Sequence, residues 1–234
     1  MTKSAFILVT AALLSSLAAE PQIFDTTQVT GWKGHPTDWS IASAVVASTT
    51  EKVWTSVTPG TGLLLNGSAG KAKDLVSEFE HGDVEAEIEF IFPKGSNSGV
   101  YFQNRYEVQI LDSFGKPDEK IGPGDLGGIY ERWDEARTPK GFEGTKPSTN
   151  AAKPPGEWQR LHVIFRAPKF AGDGSKTANA KFELVELNGV VIHRNVEVTG
   201  PTRGGLPTEV AKGPIRLQGD HGPIAFRKLV FKPL

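Results

Sequence analysis

The clearest pattern along the chain is an alternation of acidic and apolar residues from Asp83 to Phe92. A period of two predicts a β-strand with one buried face and one face in water. Apolar and polar residues alternate again at residues 158–166, whereas few stretches carry the 3.6-residue period of a helix. The pattern therefore predicts an all-β protein.

Turn signals divide the chain into many short strands. Asn188-Gly189 separates residues 180–187 from 190–193, and Asn-Gly is the strongest short-range signal for a hairpin. After the strand at 83–92, turns at 93–99 and at Asn104-Arg105 predict that three consecutive strands run antiparallel as neighbours. Segment 20–66 is turn-rich and is expected at the outer edge. We expect a two-sheet antiparallel β-sandwich, a single domain over residues 20–234.

The first residues predict export from the cytoplasm. A short cationic start is followed by the apolar stretch 5–14 and by small residues up to Ala19, the layout of a secretory signal peptide over residues 1–19. The apolar stretch is shorter than the ~20 residues that span a bilayer, and no later segment approaches that length. We expect a secreted or periplasmic protein without a membrane span.

Composition narrows the possible partners and stabilising links. The chain has 26 basic and 27 acidic residues with no block of like charge, which argues against a nucleic-acid partner. Cys is absent, so neither a disulfide nor a lipid on a cysteine is expected. Stability must come from a hydrophobic core, for which the chain is long enough. The sequence has no phosphate-binding loop, serine-nucleophile elbow or metal motif of fixed spacing.

One predicted strand carries candidate acid–base chemistry. If Val108 and Ile110 face the core, Glu107 and Gln109 share the opposite face, and a bulge at Ile110-Leu111 would return Asp112 to it. Two carboxyl groups on one rigid strand suit general acid and base catalysis. An ordinary solvated strand face is the alternative interpretation.

Two further sets of residues could bind a ligand. The strand at 213–218 ends in a Gly-bounded turn that presents Gln218 and His221, and His titrates near neutral pH. The long loop 113–156 contains Tyr130, Arg132 and Trp133, residue types that stack on sugar rings and hydrogen-bond to their hydroxyls. The alternatives are an exposed turn and an aromatic anchor for the loop.

Seven segments occur in this order along the chain: Asn97–Phe102, Tyr106–Asp112, Gly127–Tyr130, Gly156–Trp158, Leu187–Gly189, Ile215–Gly222 and Phe226-Arg227. As an ordered set they resemble the 3-keto-disaccharide hydrolase domain family. The resemblance implies a concanavalin-like jelly roll that receives a carbohydrate on its concave face. Related glycosidases carry Asp and Glu where this chain has Gln109 and Asp112, so the ordinary retaining mechanism is not expected.

The resemblance also implies a substrate, an oxidised disaccharide or glycoside with a ketone at C3. The ketone acidifies the hydrogen at C2, so elimination followed by hydration gives net hydrolysis. We assign Glu107 or His221 as base and acid, and Gln109, Gln218 and Arg227 as donors to substrate oxygens. A divalent metal held by the His/Glu/Gln cluster could replace these donors. The inserts 116–155 and 199–212 would form the walls of the cleft that binds the substrate.

Two other functions fit the same fold. A non-catalytic carbohydrate-binding, lectin-like module needs aromatic platforms but no cluster of acid, amide and imidazole groups. An inert structural protein of the cell envelope needs neither. The presence of Glu107, Gln109, Asp112 and His221 favours the enzyme.

Overall fold

The fold is described from a computed structural model that covers residues 20–34 and 36–234. The proposed signal peptide, residues 1–19, lies outside the described residues. The regular secondary structure is almost entirely β, and the one short 3₁₀ turn among these residues spans Pro36–Asp38. In the described part of the chain, no helix has the length and apolar character needed to cross a membrane.

The larger sheet has eight antiparallel strands. They are β1 (Gln22–Ile23), β3 (Ser40–Ala47), β4 (Trp54–Leu65), β6 (Val84–Ile91), β11 (Gln159–Arg166), β14 (Ala180–Leu187), β15 (Val190–Val198) and β17 (Ala225–Pro233). Their order is β15-β14-β11-β6-β17-β4-β3, and β1 pairs with one end of β17. The strands from segment 20–66 thus lie at the edge of this sheet, as predicted.

The smaller sheet has five antiparallel strands in the order β2-β5-β16-β7-β8. They are β2 (Trp32–Gly34), β5 (Leu75–His81), β7 (Asn97–Phe102), β8 (Tyr106–Leu111) and β16 (Gly213–Leu217). Two short hairpins complete the fold: β9 (Arg132–Trp133) with β10 (Gly141–Phe142), and β12 (Lys169–Phe170) with β13 (Lys176–Ala178).

The core lies between the two sheets and is rich in phenylalanine. Phe102 of the small sheet stacks on Phe165 of the large sheet, with ring centroids 5.3 Å apart, and Phe182 meets Phe102 edge-on at 5.6 Å. All three rings are fully buried. Burying one such ring contributes roughly 1.5–3 kcal/mol, so the packed interface between the sheets stabilises the sandwich. The predicted two-sheet antiparallel β-sandwich of jelly-roll type is confirmed.

The hairpin prediction was correct, but one prediction about neighbouring strands was wrong. β14 and β15 pair across Asn188-Gly189, and both turn residues have positive φ, as a two-residue hairpin requires. However, β6 belongs to the large sheet and β7 to the small one, so only β7 and β8 are neighbours among the three strands predicted there. Alternation indicates which side chains face the core but not on which side of the core a strand lies.

Candidate active site

The outward face of the small sheet carries a row of polar side chains. β7 and β8 pair in regular register, with Tyr101 opposite Glu107 and Gly99 opposite Gln109. The residues between them, such as Val108, point into the core and are fully buried. Because side chains alternate along a strand, the polar members of both strands share the outward face.

A cavity of about 270 Å³ opens on this face. Its lining is polar and comes from β7, β8, the end of β16 and two loops: Asn97, Tyr101, Glu107, Gln109, Tyr130, Arg203, Gly204, Gln218 and His221. The volume lies near the lower end for ligand sites, ~300 Å³, and suits a ligand about the size of one sugar ring.

A larger depression elsewhere has less chemical promise. It has a volume of about 610 Å³ and lies beside the β12–β13 hairpin. Four of its charged side chains already pair with one another, since Arg166 bonds Glu183 at 2.7 Å and Lys169 bonds Asp83 at 2.6 Å. The smaller cavity is therefore the better candidate for a site.

Glu107 is the most unusual residue in the cavity. It is 1% exposed, and neither carboxyl oxygen has a hydrogen-bond partner among the described residues. Burial raises the pKa of Glu107 to about 8, against the opposing effect of the Tyr101 hydroxyl and the Arg216 guanidinium. A buried carboxyl that pairs with nothing lowers stability, and such groups cluster at functional sites.

The carboxyl group of Glu107 occupies space that only glycine leaves open. It leans across β7, where a methyl group added at Gly99 would overlap Oε1 of Glu107. The backbone of Gly99 is extended rather than left-handed, so the close approach, not the conformation, requires glycine here. Gly99 thus places the carboxyl at the centre of the outward face.

Tyr101 forms one side of the cavity, and Arg216 stacks against its ring. The guanidinium carbon of Arg216 lies 3.6 Å from the centre of the Tyr101 ring, and Arg216 donates a 2.9 Å hydrogen bond to the carbonyl of Gly204. The Tyr101 hydroxyl donates to the carbonyl of Arg203 at 3.3 Å. Burial raises the pKa of Tyr101 above its usual range, so this hydroxyl stays protonated.

The opposite side is built by a loop segment that extends the sheet beyond β8. Gln109 and this segment exchange two backbone hydrogen bonds of 2.8 Å, with Gly127 and Gly128, and Tyr130 N–H donates to the Glu107 carbonyl at 3.1 Å. His193 of the large sheet donates from Nε2 to the Gly127 carbonyl at 2.9 Å. These bonds fix Tyr130 beside Glu107.

Amide and imidazole groups line the remaining wall. Buried oxygens of Asn97 and Gln218 have no donor among the described residues, whereas the side-chain oxygen of Gln109 accepts from the Ile110 N–H at 2.9 Å. His221 is half exposed, and its Nδ1 bonds the carboxylate of Asp220. The unpaired amide oxygens are acceptors available to substrate hydroxyls.

The structure brings most of the candidate residues together. Glu107, Gln109, Tyr130, Gln218 and His221 all line the cavity. Arg132 and Trp133 line a second cavity that adjoins it, so both loop residues lie beside the site.

Two candidates lie away from the cavity. The predicted bulge at Ile110-Leu111 is wrong, because β8 stays in register with β7 through Leu111. Asp112 consequently faces the preceding turn, where it accepts from the Gly95 N–H at 2.9 Å and pairs with Lys94 at 3.0 Å.

Arg227 lies on the other sheet. It is a residue of β17 whose guanidinium bonds Glu89 at 2.6 Å and stacks over the Trp158 ring at 4.1 Å. The prediction that it binds substrate oxygens in the same cluster as Glu107 is wrong, since the sandwich separates the two outward faces.

Sequence reasoning missed four lining residues, namely Asn97, Tyr101, Arg203 and Gly204. The first two were detectable, because they fall on the outward positions of β7 next to Glu107 once the strand pairing is assumed. Arg203 and Gly204 lie in the insert 199–212, and their position depends on tertiary packing.

A divalent metal held by His, Glu and Gln side chains stays a prediction. Within residues 20–34 and 36–234, no group of three His, Cys, Asp or Glu side chains is placed to hold a metal ion. Glu107 and His221 are the cluster members of these types that line the cavity.

Comparison with known proteins places the chain in a carbohydrate-active group. A crystal structure of a candidate glycosyl hydrolase from Parabacteroides distasonis ATCC 8503 is 26% identical, with a TM-score of 0.65 over 92% of this chain and 84% of that chain. A second such structure from this organism is 20% identical, with a TM-score of 0.57 over 92% and 100% of the two chains, and shares the fold. No curated protein matches the sequence. The profile of the 3-keto-alpha-glucoside-1,2-lyase-like domain matches residues 21–232, so the chain belongs to that family.

Proposed function

We propose that this carbohydrate-active protein cleaves the glycosidic bond of 3-keto-glycosides by elimination, with Glu107 as the base. The observation that carries the proposal is the buried, unpaired carboxyl of Glu107 in a polar cavity the size of one sugar ring. Membership of a lyase-like domain family and likeness to a candidate glycosyl hydrolase support carbohydrate chemistry.

The proposed reaction begins at C2 of the oxidised sugar. The C3 ketone acidifies the C2 hydrogen, the Glu107 carboxylate takes it as a proton, and the electron pair moves onto the C3 oxygen as an enolate. Collapse of the enolate restores the ketone, forms a double bond between C1 and C2, and expels the C1 oxygen, which takes up the proton from Glu107 and so restores the carboxylate. Addition of water across that double bond gives the hydrolysis product.

The register of the strands suggests how the sugar would lie. Asn97 and His221 are at one end of the cavity, whereas Tyr101 and Arg203 are at the other, with the Glu107 carboxyl over Gly99 between them. With C2 above Glu107, we assign the C3 oxygen to the end with Asn97 and His221. Donors there would stabilise the enolate. The C1 oxygen then lies toward Tyr101 and Arg203.

The decisive test is Glu107→Gln, assayed with a 3-keto disaccharide and with its unoxidised parent. We expect the wild type to release monosaccharide from the keto sugar alone, and the variant to be slower by at least ~100-fold, the usual contribution of a general base. Glu78→Gln is the matched control, because Glu78 is an exposed carboxylate of β5 in the same sheet.

Two results would oppose the proposal. A Glu107→Gln variant with the wild-type rate would remove Glu107 from the chemistry. Saturable binding of both sugars without release from either would instead favour the lectin-like alternative.

We further propose that the protein acts outside the cytoplasm after removal of residues 1–19, as the cationic and apolar pattern of this segment suggests. Expression in a bacterial host followed by mass spectrometry of the exported fraction tests this. We expect a mature chain that begins at Glu20. Full-length protein confined to the cytoplasm would contradict the proposal.

A further inference from the structure

A second cavity adjoins the first at the end where we assign the C1 oxygen. Its volume is about 330 Å³, and it shares Arg203 and Gly204 with the cavity that contains Glu107. The other lining residues come from β9 and from the insert 199–212: Arg132, Trp133, Pro201, Thr202, Gly205 and Pro207. A ligand larger than one sugar ring could therefore extend from one cavity into the other.

Arg203 stands between the two cavities and is fixed by its surroundings. Its N–H donates to the Glu131 carbonyl at 2.8 Å, and its carbonyl accepts from Tyr101 at 3.3 Å. The guanidinium carbon lies 3.8 Å from the centre of the Trp133 ring. Arg203 makes no ion pair among the residues that the structure describes, so its N–H donors remain available to a ligand.

The loop that carries Arg203 is hydrogen-bonded directly to the backbone of Glu107. The hydroxyl of Thr202 accepts from the Glu107 N–H at 3.1 Å and donates to the Arg105 carbonyl at 3.0 Å. A methyl group at Gly205 would overlap the Arg105 carbonyl oxygen, so the loop packs closely against the turn after β7. The second cavity thus has a fixed position relative to the reacting carboxyl.

We propose that the second cavity is the subsite for the leaving group, and that Arg203 on Trp133 determines which leaving groups are accepted. This inference rests on the proposed function. The leaving group would be a second sugar ring or an aglycone of similar size, bound by the indole of Trp133 and the planar donors of Arg203.

The test compares two substrates on the intact enzyme: a 3-keto disaccharide and the methyl 3-keto-glycoside of the same sugar. We expect Arg203→Ala to lower kcat/KM for the disaccharide about tenfold more than for the methyl glycoside, as loss of about 1.4 kcal/mol of contact would. Arg203→Lys, which keeps the charge but loses the planar donors, should fall between the wild type and Arg203→Ala.

Arg137→Ala is the matched control. Arg137 stacks on Phe142 at 3.9 Å, in the same hairpin region but outside both cavities, so the ratio of the two substrates should not change. Equal losses on both substrates in Arg203→Ala would overturn the subsite.

A binding measurement separates this inference from the proposed function. If the wild type cleaves neither keto sugar, the proposed function fails, and the two sugars are instead titrated against the protein by tryptophan fluorescence. A weaker affinity of Arg203→Ala for the disaccharide alone would support the second cavity as a subsite. Unchanged affinity for both sugars would reject it.

Discussion

Glu107 lowers the stability of the fold that positions it. Its carboxyl is buried without a partner, and the ionised form is disfavoured enough that the pKa rises from 4.5 to about 8. Functional sites often contain groups that lower the stability of the fold. Replacing such a group by a neutral one of equal shape should therefore increase stability.

The stability of the Glu107→Gln variant should differ from that of the wild type at alkaline pH. The pKa of Glu107 is about 8 when folded and near 4.5 when unfolded, so the folded state retains a proton that the unfolded state loses between these values. The free energy of unfolding therefore falls as the pH rises from 4.5 to 8, and the loss persists above 8.

Urea unfolding of both proteins at about pH 4 and about pH 9 measures this difference, since one pKa unit corresponds to about 1.4 kcal/mol. We expect Glu107→Gln to exceed the wild type by a few kcal/mol at the higher pH and by little at the lower. Glu78→Gln should show no such pH-dependent gain. If the difference in free energy of unfolding between wild type and Glu107→Gln were the same at both pH values, the pKa of Glu107 would not be raised.

The same ionisation predicts the pH dependence of the reaction. Glu107 can accept the C2 proton only after losing its own, so kcat/KM should rise with pH and reach half its plateau near pH 8. Initial rates between about pH 5 and about pH 10 test this, because kcat/KM reports groups of the free enzyme. A rate that falls through pH 8 would make Glu107 an acid rather than a base.

Substitution of Gly99 should lower activity about as much as substitution of Glu107. Alanine at this position would displace the Glu107 carboxyl, which rests on the bare backbone, so we expect Gly99→Ala to lower kcat about 100-fold. Gly172→Ala is the control, because nothing lies within 4 Å of a methyl group there and its φ is not positive. Normal activity in Gly99→Ala would show that the carboxyl need not lie over β7.

The segment from Gly127 to Tyr130 acts as an added strand of the small sheet, although it belongs to a long loop. Its backbone bonds β8 on one side, and Ile129 bonds Thr145 on the other at 2.9 and 3.0 Å. His193 of the large sheet, which is buried, hydrogen-bonds this segment at the Gly127 carbonyl. Tyr130 and the backbone of Gln109 consequently depend on a contact that reaches across the molecule.

Replacing His193 by leucine should loosen this segment. The Gly127 carbonyl would lose its donor in a buried position, which costs about 1–3 kcal/mol. Hydrogen exchange should become faster at the amides of Gly127 and Gln109, and KM should rise more than kcat falls. His162→Leu provides the comparison, since His162 pairs with Glu85 at 3.0 Å on the outward face of the large sheet. Equal exchange rates in both variants would exclude this role for His193.

Strands were predictable where one face is buried, because the core imposes a period of two. The alternation at 83–92 and 158–166 corresponds closely to β6 and β11. The sheet to which a strand belongs was not predictable. β6 and β7 both bury one face in the core, although they lie on opposite sides of it. The site was predictable to the extent that it lies on β8 and at the end of β16. The position of Arg203 was not predictable, because tertiary contacts such as the hydrogen bond between Thr202 and Glu107 place its loop beside the cavity.

Acid stability of the whole molecule should be governed by a second buried group, His81. Its Nδ1 donates to the Gly82 carbonyl at 2.8 Å, while Nε2 accepts from the Gln103 N–H at 3.0 Å, so β5 is joined to the turn between β7 and β8. Burial lowers the pKa of His81 from 6.5 to about 4. Only the neutral ring can accept from Gln103.

The two buried groups have opposite effects on stability. Between pH 4 and 6.5 the unfolded state binds a proton that folded His81 refuses, so His81 makes stability rise with pH over this window. Glu107 makes stability fall from pH 4.5 to 8. In wild type the slopes partly cancel, and Glu107→Gln should reveal the His81 slope in urea unfolding. A Glu107→Gln profile that is flat from about pH 4 to about pH 6.5 would contradict this.

The bonds between β8 and the segment from Gly127 to Tyr130 have a consequence for solubility. β8 is the last strand of the small sheet, and an open edge backed by apolar side chains is a template for aggregation. The backbone N–H and carbonyl of Gln109 are hydrogen-bonded to Gly128 and Gly127, and the carbonyl of Glu107 accepts from Tyr130. The loop that shapes the cavity therefore also blocks intermolecular strand pairing, and shortening it would endanger the colloidal stability of the protein before it altered the fold.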